Sequence, residues 1–364
     1  MTVSPILPQS TQPHTSSPPT DKPWRETPLI ESEKLSKAAG CRILLKLDSL
    51  QPSGSFKIRG LGHFILKTYL NSPHPESLHF FSSSGGNAGL AAVHAANFVK
   101  RPCTVVVPLS TKKHMIEKLQ KAGAQSVVQY GASWKEADSY MRDVVMKKCA
   151  EEKGEEVVGV HPFDDGVVWE GHSTLISEIG RQMQTKEDGK KEVPDWIICS
   201  VGGGGLFSGI MEGIQKQGEA WKEKTKVLVV ETQGADSLNQ SLEKGEHITL
   251  DGITSMATSL GATKVCSRAF NLATSGLQNS TVHSIVLSDA EAAMGCWKLW
   301  DDEKILVEAA CGVNTALCYG GRLERALGRK PRKDEIVVIE VCGGSNTSRE
   351  IIEEWRREFG EGFV

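Results

Sequence analysis

What the chain lacks narrows its role first. Nowhere in its 364 residues is there an apolar run long enough to cross a bilayer. Lys and Arg (42) nearly balance Asp and Glu (45), and the formal net charge of −3 leaves no electrostatic footprint for nucleic acid or an anionic membrane. The chain start lacks the basic-then-apolar pattern of a secretory leader. It is rich in Pro, Ser and Thr instead, and residues 1–24 read as a disordered arm. Nine cysteines are scattered, an odd number with no Cys-x-x-Cys pair, so neither a disulfide framework nor a zinc site is indicated. A reducing, cytoplasmic setting is expected. No internal repeat occurs at solenoid periods.

What is present is ordinary in bulk and particular in its loops. Hydrophobic content of 39% and charged content of 24% suit a globular chain, and the length favours two domains. A helix over 31–39, stopped by Gly40, precedes a strand over 42–47. A strand-then-helix rhythm follows, with strands at 78–81, 104–107, 126–129 and 157–160 leading into helices at 86–98, 112–122, 133–150 and 167–183. After a charged linker at 185–192 the rhythm resumes, with strands at 196–200, 227–231, 284–287 and 336–341 leading into helices at 206–216, 235–242, 289–301 and 345–358. This alternation predicts an α/β fold of parallel sheets flanked by helices, with ligands bound at the carboxyl ends of the strands.

Four stretches there carry chemistry. In Gln51-Pro-Ser-Gly-Ser-Phe-Lys-Ile-Arg-Gly60, Lys57 sits among turn formers at a helix start, without the charged neighbours of a solvated lysine. An amine in such a pocket is desolvated and serves as nucleophile or base. Ser82-Ser-Ser-Gly-Gly-Asn-Ala-Gly89 brings backbone N–H groups and a helix N-terminus to an anion, with Asn87 able to bond an oxygen. In Val201-Gly-Gly-Gly-Gly-Leu206, four successive glycines exceed what a turn needs and suit a phosphate cradle of amides. A dinucleotide fingerprint competes for the same run. Gly203 and Gly205 are followed by Ser208 where the motif wants glycine, Gly209 satisfies only a looser spacing, and Glu231 imitates a ribose-binding acid. Val341-Cys-Gly-Gly-Ser-Asn346 offers Cys342, either a buried structural thiol or a weak donor to a ring nitrogen. Lysine, anion loop, phosphate loop and thiol together suggest one ligand bearing an aldehyde, a phosphate and a heteroaromatic nitrogen, which pyridoxal 5′-phosphate combines.

These motifs resemble those of the fold type II pyridoxal-phosphate enzymes (tryptophan synthase β-like), and among them the catabolic L-serine/L-threonine dehydratases of the liver serine dehydratase type. To the four stretches the resemblance adds Phe163-Asp-Asp165, Trp169-Glu-Gly-His172 and Asp302-Glu-Lys-Ile-Leu-Val-Glu308, all in order along the chain. It implies two open twisted sheets with the cofactor between a small domain (51–165) and a large one (25–50 and 166–364). It implies that Lys57 bears the cofactor as an imine, that Phe56 packs against the ring, that Asn87 bonds the ring's 3′ oxygen, and that Cys342 partners the pyridine nitrogen. Gly202, Gly203, Gly204, Gly205 and Leu206 would cradle the phosphate, and Ser84 with Gly85, Gly86, Asn87 and Ala88 would grip the substrate carboxylate. Glu231, with carbonyls of Gly202, Ala235, Leu260 and Ala262, resembles a site for K+ or Na+. His161, Asp164 and Asp165 read as structural.

Three positions depart from the family pattern: Gly85 stands where some relatives have alanine, Ser259 where alanine is usual, and Ala309 where proline is. The implied reaction is β-elimination of a hydroxy-amino acid to a 2-oxo acid and ammonia, in a homodimer. Two rivals remain: a β-replacement synthase on the same fold, and an NAD(P)-dependent oxidoreductase resting on the glycine spacing. With a short segment after Asn346, a regulatory domain like that of biosynthetic threonine dehydratases is not expected.

Overall fold

A computed structural model of the chain describes residues 21–185, 189 and 191–363. Residues 1–20 of the expected arm lie outside it. Trp24 is 7% exposed and joins the apolar cluster of Ile58, Leu61 and Ile65.

The strands are β1 (Leu29–Glu31), β2 (Arg42–Lys46), β3 (Leu78–Ser82), β4 (Cys103–Val107), β5 (Ser126–Gln129), β6 (Glu156–Gly159), β7 (Trp196–Ser200), β8 (Lys226–Thr232), β9 (Val282–Leu287) and β10 (Ile336–Glu340). They form a six-stranded sheet in the order β1-β2-β10-β7-β8-β9 and a four-stranded sheet in the order β5-β4-β3-β6. Every pairing is parallel except that of β1 on β2. The central strands β7 and β10 are buried along their whole length, as unbroken apolar runs covered on both faces must be. This is the α/β architecture expected.

Four helices position the site: α1 (Lys57–Asn71), α2 (Asn87–Phe98), α3 (Gly166–Gln182) and α4 (Gly205–Lys216). Local reading misplaced some boundaries. Residues 29–31 pair antiparallel with β2, and the helix expected over 31–39 begins at Glu33, capped by the Ser32 hydroxyl. A three-residue edge strand is too short to show a period. The helix expected over 133–150 is interrupted by a π-helical stretch, Met141–Met146. The last helix starts at Arg349, capped by Ser348, so Ser345 and Asn346 remain in the loop.

A buried ionic cluster pins α1 to both sheets' connections. Arg59, fully buried, donates to both Asp48 oxygens (2.6 and 2.7 Å) and both Glu178 oxygens (2.7 and 2.7 Å). Lys46 Nζ donates to Glu178 at 2.8 Å and to the Thr27 carbonyl at 2.7 Å. With every charge paired the cluster is tolerated, but losing one partner strands the others in a dry interior. Arg59→Met is therefore expected to cost about 3–5 kcal/mol of stability. A urea midpoint equal to that of the native chain would refute this reading of the cluster.

Candidate active site

The site exists because β2, β10 and β7 are parallel neighbours, so their carboxyl ends release three loops side by side. The Lys57 turn is stitched to the Cys342 loop by a bridge between Ser55 and Gly343. Phe56 N donates to the Cys342 carbonyl at 3.1 Å, and Gly344 N to the Gly54 carbonyl at 3.0 Å. Gly343 has φ +86°, and a Cβ there would lie 2.4 Å from the Gly54 oxygen, so the stitch requires glycine.

Lys57 is the first residue of α1. Its amine donates to the Pro162 carbonyl at 3.0 Å and stands 5.0 Å from the centre of the Phe56 ring. Burial pulls the amine down to about 8, against the opposing pull of Cys342 and Glu308. A far larger share of it is therefore uncharged at physiological pH than for an ordinary lysine, and the uncharged amine is the state a nucleophile or base requires.

The glycine run follows β7 and opens α4. The N–H groups of Gly202, Gly203 and Gly204 have no acceptor among the described residues. A Cβ at Gly203 would fall 2.2 Å from the Phe163 ring, one at Gly204 2.4 Å from Ala269, and one at Gly205 2.8 Å from the Phe163 carbonyl. Side chains are excluded here and free donors remain, which fits a phosphate. The Leu206 side chain is buried in the core behind the loop.

From the smaller sheet, β3 delivers the Ser82–Gly89 segment. Ser84 Oγ accepts from Gly86 N at 3.3 Å, and Ala88 is buried in the first turn of α2. A Cβ at Gly85 would lie 2.9 Å from Thr111 Cγ2, so the missing alanine methyl has been taken up by Thr111. Asn87 reaches across the cleft. Its Nδ2 donates to Glu308 at 2.9 Å, and its Oδ1 accepts from Ser345 N at 2.9 Å and Ser345 Oγ at 2.8 Å. The other Glu308 oxygen accepts from Asn346 N at 3.3 Å, and burial pushes this carboxyl up. Sequence reasoning quoted Glu308 and Ser345 inside motifs but gave them no part. Only their convergence on Asn87 reveals it.

Cys342 is buried, with Sγ 3.9 Å from both Ser200 Oγ and the Ala310 carbonyl. A hydrogen bond with Cys311, then burial, pushes the thiol well up, so it stays protonated at neutral pH. Glu231, also buried, accepts from Leu238 N (3.0 Å) and Asn239 N (2.7 Å) and so caps the helix Ser237–Lys244. Burial pushes it up to about 8. Gly202 packs on Leu260, whose carbonyl accepts from Ala262 N, and Ala235 N donates to the Thr232 carbonyl. Both Glu231 oxygens are turned into a helix end, so the carboxyl has a structural partner at each oxygen without a ribose. His161 accepts from Asp164 N at 2.8 Å and Asp165 caps α3 through Val167 N, both local turn bonds.

A depressed amine, a neutral thiol and a cradle of free amides fit pyridoxal phosphate. The family model for pyridoxal-phosphate dependent enzymes matches residues 21–343. The chain belongs to this family. An L-serine dehydratase of Saccharomyces cerevisiae (strain AWRI1631) is 42% identical over 325 residues, covering 88% of this chain and 94% of that one. The catabolic L-serine/threonine dehydratase of Saccharomyces cerevisiae (strain ATCC 204508 / S288c) is 40% identical, covering 91% and 90%. The crystal structure of a fungal L-serine ammonia-lyase from Rhizomucor miehei superposes with a TM-score of 0.81 at 30% identity, covering 93% of this chain and all of that one. The chain is thus a fold type II pyridoxal-phosphate enzyme of the serine dehydratase group.

Linking lysine to the cofactor aldehyde requires the neutral amine. When protein stripped of cofactor is mixed with pyridoxal phosphate, the rate of colour development should rise as pH approaches about 8 and then level off. An unshifted lysine would keep accelerating toward about 10.4. Stopped-flow absorbance distinguishes the two profiles.

Proposed function

We propose that this enzyme is an L-serine/L-threonine dehydratase, converting serine to pyruvate, or threonine to 2-oxobutanoate, with release of ammonia. The observation that carries the reading is the Lys57 amine, lowered by burial to about 8 in a cleft it shares with the amide cradle and a thiol, in a chain related over most of its length to enzymes of that name. Pyridoxal phosphate, when bound, supplies an electron sink that makes the substrate's Cα–H bond acidic.

The protein's own groups do the rest. Lys57 would hold the cofactor, and its amine would accept the substrate's Cα proton. Gly202 to Leu206 hold the phosphate. Ser84 and the amides of Gly86 to Ala88 bind the substrate carboxylate at the N-terminus of α2. Phe56 packs beside the ring. Asn87, pinned by Glu308 and Ser345, would bond the ring's 3′ oxygen. The Cα proton, returned by Lys57, would leave with the β-hydroxyl as water, and addition of water with loss of ammonia would give the keto acid. Glu231 with the carbonyls of Gly202, Ala235, Leu260 and Ala262 is proposed to take potassium or sodium. A buried carboxylate facing only N–H groups supports this, since a cation would offset the cost of its charge.

Serine supplied without a second nucleophile should yield pyruvate and ammonia in equal amounts, with visible absorbance and turnover both lost in Lys57→Ala. Keto acid appearing only slowly, with fast thioether formation once a thiol is added, would indicate a replacement synthase instead. Cys342 sets a second expectation. Its protonated thiol cannot hold a proton on the ring nitrogen as a carboxylate would, which favours prompt loss of the β-group. In Cys342→Asp the share of racemised or transaminated product should rise relative to keto acid. Chiral chromatography of the products reads the ratio, and an unchanged ratio counts against this role.

A further inference from the structure

Away from the cleft, at the amino-terminal end of the four-stranded sheet, three groups unused by the chemistry above converge. His79, the second residue of β3, is 2% exposed. Cys149 lies on the helix Lys147–Lys153, and Glu155 follows Gly154, whose left-handed backbone ends that helix. One donor atom from each, His79 Nδ1, Cys149 Sγ and a Glu155 carboxylate oxygen, lies within 4.8 Å of the other two. Nδ1 is 2.7 Å from Glu155 Oε2 and 3.9 Å from the sulfur. No other such trio converges among the described residues.

The imidazole is held from behind. Its Nε2 is 2.9 Å from Thr104 Oγ1, which is itself 3.2 Å from Ser126 Oγ, and the Phe81 ring stacks on it at 4.3 Å. A hydroxyl fixing one ring nitrogen leaves the other to face a ligand, the outer-shell arrangement of histidine metal ligands. Imidazole nitrogen, thiolate and carboxylate are the donors zinc accepts, and three protein ligands leave a fourth position for water. That position is open here, because Cys149 and the Glu155 side chain (24% exposed) both reach the surface. Cys149 is the one cysteine of nine that is not buried. The π-helical stretch Met141–Met146 lies just ahead of the Cys149 helix, and such turns concentrate at functional sites.

We propose that His79, Cys149 and Glu155 bind a zinc ion, which ties the Lys147–Lys153 helix to β3. Binding displaces the thiol proton to solvent. The hydrogen of the neutral imidazole moves to Nε2, where the Thr104 oxygen accepts it, and Glu155 binds as the carboxylate it already is. One proton is therefore released per ion.

The test uses full-length holoenzyme washed with chelator, then titrated with cobalt(II) as a spectroscopic probe and with zinc by calorimetry in buffers of different ionisation enthalpy. Expected are one cobalt per chain, with intense four-coordinate bands in the red, clear of the cofactor's absorbance, and a difference spectrum containing a thiolate charge-transfer band. Zinc should raise the melting temperature and release one proton. Cys149→Ser should remove the charge-transfer band while leaving turnover intact, and Thr104→Val should weaken zinc binding about 10–100-fold. Absence of stoichiometric binding, or bands and affinity unchanged in both Cys149→Ser and Glu155→Gln, would overturn the proposal.

Discussion

Two backbone hydrogen bonds, from Phe56 to Cys342 and from Gly344 to Gly54, hold the amine and the thiol in one wall of the cleft. They form only because β2 and β10 run parallel in register, Glu340 beside Lys46, so that both strands end level. With the amine placed by this pairing, the remaining site parts are placed relative to it. β7, the next neighbour of β10, contributes the glycine run, and the smaller sheet contributes Asn87 from across the gap. A register slip of one residue would move every one of these side chains to the wrong face.

The cleft is also where the protein keeps groups in costly states. Lys57 is driven toward neutrality, and Glu308 and Glu231 toward protonation, in each case chiefly by burial. Just below, Arg59, Lys46, Asp48 and Glu178 each meet an oppositely charged partner at hydrogen-bond distance. The contrast is physical: paired charges tolerate a dry interior, and isolated ones lose their charge. Arg59 is two residues from Lys57 on the same helix, so the fully paired cluster anchors the helix that presents an unpaired amine.

Much of this was legible in the chain. The apolar run 196–200 became a strand at those very residues, because a strand buried on both faces has few other compositions open to it. Lys57, the glycine run and Cys342 stood out by their neighbours, since small residues gather where backbone must approach a ligand. The edge strand Leu29–Glu31 did not stand out, being made by its pairing with β2 and not by its own pattern. Nor did Glu308, Ser345 and Thr111, whose importance lies in what they touch: the Asn87 amide and the space beside Gly85. The same holds for His79, Cys149 and Glu155, which no spacing rule links.

By itself the sequence determined the class of architecture and the family, and it singled out the candidate lysine and anion loops, because each is written in short contiguous stretches whose local chemistry has few other uses. Tertiary structure alone decided which loops meet, which carboxyls lose their charge and which polar atoms find partners. Those outcomes depend on burial and on distances between residues as far apart as Asn87 and Ser345, quantities that no local stretch of chain contains.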